Sequence, residues 1–141
     1  MTTQVLTSTE PTAPPTAASL DYEPQSASAA RELVRDALVS WGLKHLVGDA
    51  ELVVTELVTN AAKTGCTTKM LVSAERVTNR VGRAVRLSVR DGSCSLPVLI
   101  PGADGESGRG LVLVDGFAVI WGVDLDPYGK TVWADLSVDR T

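Results

Sequence analysis

Two cysteines, one histidine and no strongly basic stretch narrow the reading of this 141-residue chain at the outset. Cys66 and Cys94 lie far apart with no histidine nearby, which removes the usual zinc-ligand spacings. Both are read as free thiols in a reducing compartment, with a disulfide as the minor option. The single histidine, His45, sits between Lys44 and Leu46 and reads as a surface or capping residue. The formal net charge of −4 argues against nucleic acid, because binding a phosphate backbone requires a clustered basic surface. No apolar run approaches the roughly 18 residues of a membrane span. The first residues, MTTQVLTSTEPTAPPTAAS, carry no basic segment followed by an apolar one, so no secretory signal is expected. There is no internal repeat. An intracellular, cytoplasmic chain without nucleic-acid or membrane partners is the expectation.

What the sequence does contain suits one domain with a packed core: 44% of its residues are apolar and 21% charged. Residues 1–18 are rich in Thr, Ser, Ala and Pro and are expected to stay a disordered tail, since they offer too little apolar surface to offset ordering entropy. The domain is then 19–141. Leu20-Asp21-Tyr22 reads as a short strand. Apolar residues at Ala30, Leu33, Val34, Ala37, Leu38 and Trp41 have helical spacing, with Ser26 or Ser28 as cap and Gly42 as terminator. A second helix is expected from Gly48-Asp49 to about Gly65, through Leu52, Val53, Val54, Leu57, Val58 and Ala61. The period then changes. Residues 69–74 and 84–90 read as strands, the second alternating at Val85, Leu87 and Val89. Residues 78–83 read as an exposed connection. A long Gly- and Pro-containing loop follows Asp91-Gly92, then a short helix over 111–118. Two strands, 119–123 and 131–136, close the chain around a turn at Asp126-Pro127-Tyr128-Gly129. This order predicts an α+β fold with helices gathered on one face of a mostly antiparallel sheet. Trp41, Trp121 and Trp133 read as packing residues.

Four short patterns can carry chemistry. Glu56 and Asn60 lie four apart on the second helix, with Lys63 on the same line. An Asn amide oxygen is a hard neutral ligand suited to Mg²⁺, and a neighbouring Glu can accept a proton. The same spacing also fits a solvated helix face. Asp91-Gly92 closes an alternating strand, where the carboxylate can accept from a ligand amino group or simply form a turn. Gly105-Glu106-Ser107-Gly108-Arg109-Gly110-Leu111 precedes a helix, so backbone N–H groups and the helix start can meet an anion. It matches neither the Walker A nor the Rossmann spacing, and by itself it also fits a linker. Gly129-Lys130-Thr131 opens the last strand, where the Thr131 hydroxyl can share a hydrogen bond with Asp91.

Taken in order, Glu-Leu-Val-Thr-Asn-Ala at 56–61, Asp-Gly at 91–92, Glu-Ser-Gly-Arg-Gly-Leu at 106–111 and Gly-Lys-Thr-Val-Trp-Ala at 129–134 resemble the motifs of the anti-sigma-factor serine/threonine kinases. These belong to the gyrase, histidine-kinase and MutL superfamily. The resemblance spans residues 20–137. It implies a two-layer α/β sandwich of the histidine-kinase-like ATPase (Bergerat) type, with a mixed, mostly antiparallel sheet. It implies ATP and Mg²⁺ as cofactors. Asn60 would hold the metal and Glu56 would be the catalytic base. Gly108, Arg109 and Gly110 would wrap the phosphates in a loop acting as an ATP lid, and Lys63, Ser107 and Leu111 would be further cofactor-binding residues. Asp91 and Gly92 would receive adenine, with Thr131 beside Asp91. Expected partners are a sigma factor and an anti-sigma factor antagonist protein, and a homodimer is among the expected assemblies.

Two departures from the family pattern are present, and the second supports another reading. Thr64 stands where the family often has His, and Asp91-Gly92-Ser93-Cys94 shortens the wider Asp-x-Gly-x-Gly motif. The alternative is a non-catalytic module that binds nucleotide, or none, and sequesters a partner. A simple ATP hydrolase unit is a third option.

Overall fold

Spacing of apolar residues sets both helices, and alternation sets the sheet they cover. The computed structural model describes residues 16–21, 23, 25–64, 69–92 and 113–139. Helix α1 (Ser26–Ser40) buries Ala30, Val34, Ala37 and Leu38 along one stripe. Its end is set by Gly42, at φ 75°. The Gly42 amide donates to the Val39 carbonyl (3.1 Å) and the Leu43 amide to the Leu38 carbonyl (2.8 Å), a Schellman closure that only a positive φ permits. The start differs from expectation. Neither Ser26 nor Ser28 is the cap; Gln25 holds that position without a side-chain bond. The Ser26 hydroxyl instead donates back to the Asp21 carbonyl.

A 3₁₀ turn, Lys44–Leu46, leads into α2 (Val47–Thr64). The stripe Ala50, Val53, Val54, Leu57, Val58 and Ala61 is at most 3% exposed. Asp49 lies in the first turn, where the helix dipole favours negative charge. The two helices are tied at their polar seam. Arg35 Nε donates to Glu51 Oε2 at 2.8 Å, and Arg31 Nη1 to Thr55 Oγ1 at 3.1 Å.

Five strands form one sheet in the order β1-β2-β3-β5-β4: β1 (Thr16–Leu20), β2 (Met70–Asn79), β3 (Gly82–Asp91), β4 (Ile120–Asp126) and β5 (Gly129–Ser137). All four pairings are antiparallel, so the sheet implied to be mixed is antiparallel across the described residues. Side chains of one parity face the helices. Val72, Val89 and Val132 form one cross-strand row, and Ala74, Leu87 and Ala134 the next. All six join the core with the helix stripes. The architecture is therefore α+β in two layers, as expected.

Three local expectations are corrected. Strand β1 begins at Thr16, inside the 1–18 stretch expected to be tail. Its small residues have no strand signature of their own; pairing with β2 (Thr16 with Ala74, Leu20 with Met70) makes the strand. Residues 1–15 lie outside the described residues. The 78–83 connection is mostly strand, with the turn confined to Arg80-Val81. The last hairpin is longer than expected at both ends of its Pro127-Tyr128 turn. A short helix spans 113–117 and buries Val114.

Candidate functional site

Helix α2 is continuous through Thr64, so Glu56, Asn60 and Lys63 share one line along it. The line runs along the margin of the apolar stripe. Asn60 is 7% exposed and Glu56 is half-buried. A buried amide at the end of an otherwise apolar stripe is the kind of group that needs a polar counterpart. The side chain of Lys63 lies outside the described residues, as do Ser107, Gly108, Arg109, Gly110 and Leu111.

The second part of the site is at the end of β3. The helix-facing parity of Val85, Leu87 and Val89 continues to Asp91, which is 2% exposed. On β5 the parity of Leu136, Ala134 and Val132 continues to Lys130. Asp91 and Lys130 are register partners. Lys130 Nζ donates to Asp91 Oδ1 at 3.0 Å, and both side chains are 0% exposed. Gly129 fixes this approach. A Cβ there would collide with the Asp91 carbonyl oxygen and come within 3.0 Å of Gly92 Cα. Only a glycine lets the start of β5 press so closely on Asp91-Gly92.

This geometry corrects one expectation. Thr131 is not beside Asp91. It pairs with Arg90, on the sheet face away from the helices, where its hydroxyl lies 3.5 Å from Arg90 Nη1. Successive strand residues point to opposite faces, so a shift of one residue exchanges Thr131 for Lys130. The signal was present in the sequence: Val132, Ala134 and Leu136 alternate, and the same count backwards reaches Lys130.

The face away from the helices carries its own polar cluster. Asp135, 0% exposed, accepts from Arg86 Nε (2.7 Å), Arg86 Nη2 (3.0 Å) and Asn79 Nδ2 (2.9 Å). The Asp135 carboxylate, through its hydrogen bonds to the guanidinium, raises the Arg86 pKa above its ordinary value. The Arg86 guanidinium also stacks on Trp133, 4.2 Å from the ring centroid. Gly122 opposite leaves room for that ring, since a Cβ would come within 2.9 Å of it. At the last turn, Arg90 and the Tyr128 amide both donate to Asp126. They lower its carboxyl to a pKa of about 2, the Arg90 bond contributing most. The tryptophans thus pack as expected but also meet polar groups: Trp41 lies under Arg76, and Trp121 donates to Asp115. His45 is exposed and donates from Nε2 to the Val138 carbonyl at 2.9 Å, tying the 3₁₀ turn to the chain beyond β5.

Among the described residues there is no group of three His, Cys, Asp or Glu side chains that could hold a metal ion. No described helix is long and apolar enough to cross a membrane.

No protein-family model and no curated protein matches the chain. Among solved structures, the RsbU and RsbW domains of Rv1364c from Mycobacterium tuberculosis match over 88% of this chain, with a TM-score of 0.62 and 22% identity. The chain corresponds to 32% of that chain's length. The likeness is one of fold.

Proposed function

We propose that this chain is an ATP-binding regulatory domain of the bacterial cytoplasm, of the anti-sigma-factor kinase kind, that phosphorylates a serine or threonine of an antagonist protein. The observation that carries the reading is the buried Asp91 carboxylate. It ends a helix-facing row of apolar residues, so that the row closes on an acceptor where another apolar side chain would suffice for packing. The fold likeness to a structure with an RsbW domain supports it, as does the order of the four motifs.

The donor set fits the implied cofactors. Mg²⁺ is a hard cation that keeps waters and phosphate oxygens around one or two protein oxygens. The Asn60 amide oxygen is such a ligand, and the described residues offer no cage that would replace phosphate. Bound Mg²⁺ would neutralise phosphate charge. Glu56, half-buried on the same helix line, would accept the proton of the partner hydroxyl. Lys63 and the segment Ser107–Leu111 would surround the phosphates. Asp91, with Gly92 behind it, would accept from the adenine amino group. Catalysis of this type is mostly positioning and electrostatics. A sigma factor and an antagonist are the proposed partners, and a homodimer the proposed assembly.

A second reading is a non-catalytic module that sequesters its partner by surface contact. One observation favours it: Asp91 is already held by Lys130, and Thr131 faces the other way.

Transfer of labelled γ-phosphate to a panel of antagonist proteins separates the two. The kinase reading expects transfer by the wild type and a loss of about 100-fold or more in Glu56→Gln, with ATP binding retained. ATP binding without transfer to any antagonist favours sequestration.

A further inference from the structure

The resemblance gives Lys130 no role, yet it is the side chain that meets Asp91. The two face each other across β3 and β5, 3.0 Å apart, with no exposed surface on either. The rows behind them are wholly apolar: Val89 with Val132, then Leu87 with Ala134. A pair of charges at the end of such rows is not explained by stability. Apolar residues of similar volume in place of a buried ion pair are often neutral or stabilising.

We propose that Lys130 is a gate on the base-binding position, its ammonium standing where the amino group of an adenine would donate. This deepens the nucleotide reading and rests on it. An ammonium carries three donors and no acceptor, so toward Asp91 it plays the same role as an exocyclic amino group. Because both side chains are fully enclosed, a base reaches Asp91 only after the lysine side chain moves aside. Gly129 holds the start of β5 against Asp91-Gly92, so the lysine moves by its own torsions while the strand stays in place. The long unbranched stem of lysine provides that freedom. Apparent affinity for the base then falls in proportion to the fraction of molecules with the gate open.

The test is calorimetric titration of the full chain with ATP, adenosine and inorganic tripolyphosphate. The proteins are the wild type, Lys130→Met and the neutral pair Lys130→Met/Asp91→Asn. The last avoids a lone buried charge in case the single variant fails to fold, and its amide oxygen still accepts from a base. The gate predicts that ATP and adenosine bind at least about tenfold more tightly in Lys130→Met, because the open state strands the Asp91 carboxylate and is held by about one wild-type molecule in ten or fewer. It predicts a smaller gain in the double variant and no change for tripolyphosphate. Equal or weaker adenosine binding by both variants overturns the gate and leaves the nucleotide reading standing. A gain that extends to tripolyphosphate also overturns it, because the effect is then not at the base. Binding of neither ATP nor adenosine by any folded form overturns the gate and the nucleotide reading together.

Discussion

Neutralising one member of the Lys130–Asp91 pair should cost far more stability than neutralising both. The two side chains are 0% exposed and joined at 3.0 Å, so Lys130→Met strands a carboxylate and Asp91→Asn strands an ammonium. Breaking a buried pair from one side costs about 3–5 kcal/mol. With a urea m-value of about 1.5 kcal/mol per molar, a loss of about 3 kcal/mol moves the unfolding midpoint down by about 2 M. The double variant strands no charge. It should lose no more than about 1 kcal/mol in total, well short of the sum of the single losses. Urea titration followed by tryptophan fluorescence and far-UV circular dichroism reads all four proteins. Single losses below about 0.5 kcal/mol, or additivity within about 0.5 kcal/mol, would refute the reasoning: the pair would then be neither dry nor coupled.

Three further outcomes are expected. Leu57, 1% exposed at the centre of the α2 stripe, should lose about 3 kcal/mol as Leu57→Ala by urea unfolding; a loss under about 1 kcal/mol would place it outside the core. Gly129→Ala should cost about 1–3 kcal/mol, because its Cβ meets backbone atoms of Asp91 and Gly92 that cannot rotate away; wild-type stability would show that β5 does not press on that turn. Asp126, lowered from an ordinary 3.8 to about 2 mainly by its bond from Arg90, contributes stability that is fully present above about pH 4. That contribution is lost as the pH falls towards 2. Asp126→Asn should therefore flatten the stability profile between pH 4 and 2 relative to the wild type, and an unchanged slope would count against the turn contacts.

The helices were legible because their signal is local. Ala30, Val34, Ala37 and Leu38 repeat at helical spacing, Gly42 ends α1 by a backbone geometry that glycine favours, and α2 follows its stripe from Ala50 to Ala61. The central strands were legible where alternation is clean, as at Val85, Leu87 and Val89. Strand β1 was not, because Thr16, Ala17, Ala18 and Ser19 carry little strand propensity. Its hydrogen bonds come from β2, about fifty residues away. The far ends of β2 and β3 were also missed. Glu75, Arg76 and Thr78 look like connection residues until Arg76 is seen stacked on Trp41.

The site divides the same way. Asn60 and Asp91 were singled out as candidates from residue type and position, and the fold buries both. Lys130 was passed over for Thr131 because a motif read as a string does not state which face each residue takes. Strand parity does. The Arg86–Asp135–Asn79 cluster had no sequence signal, since its members come from three strands and meet only through the β2–β3–β5 register.

The most direct test of the central claim is calorimetric binding of ATP, with and without Mg²⁺, to the wild type, Asn60→Ala and Asp91→Ala, each checked for folding by circular dichroism. The account predicts Mg²⁺-dependent binding by the wild type, loss of that dependence in Asn60→Ala, and loss of binding in Asp91→Ala. A folded wild type that binds no ATP at millimolar concentration would contradict it, and the chain would then act through protein contact alone.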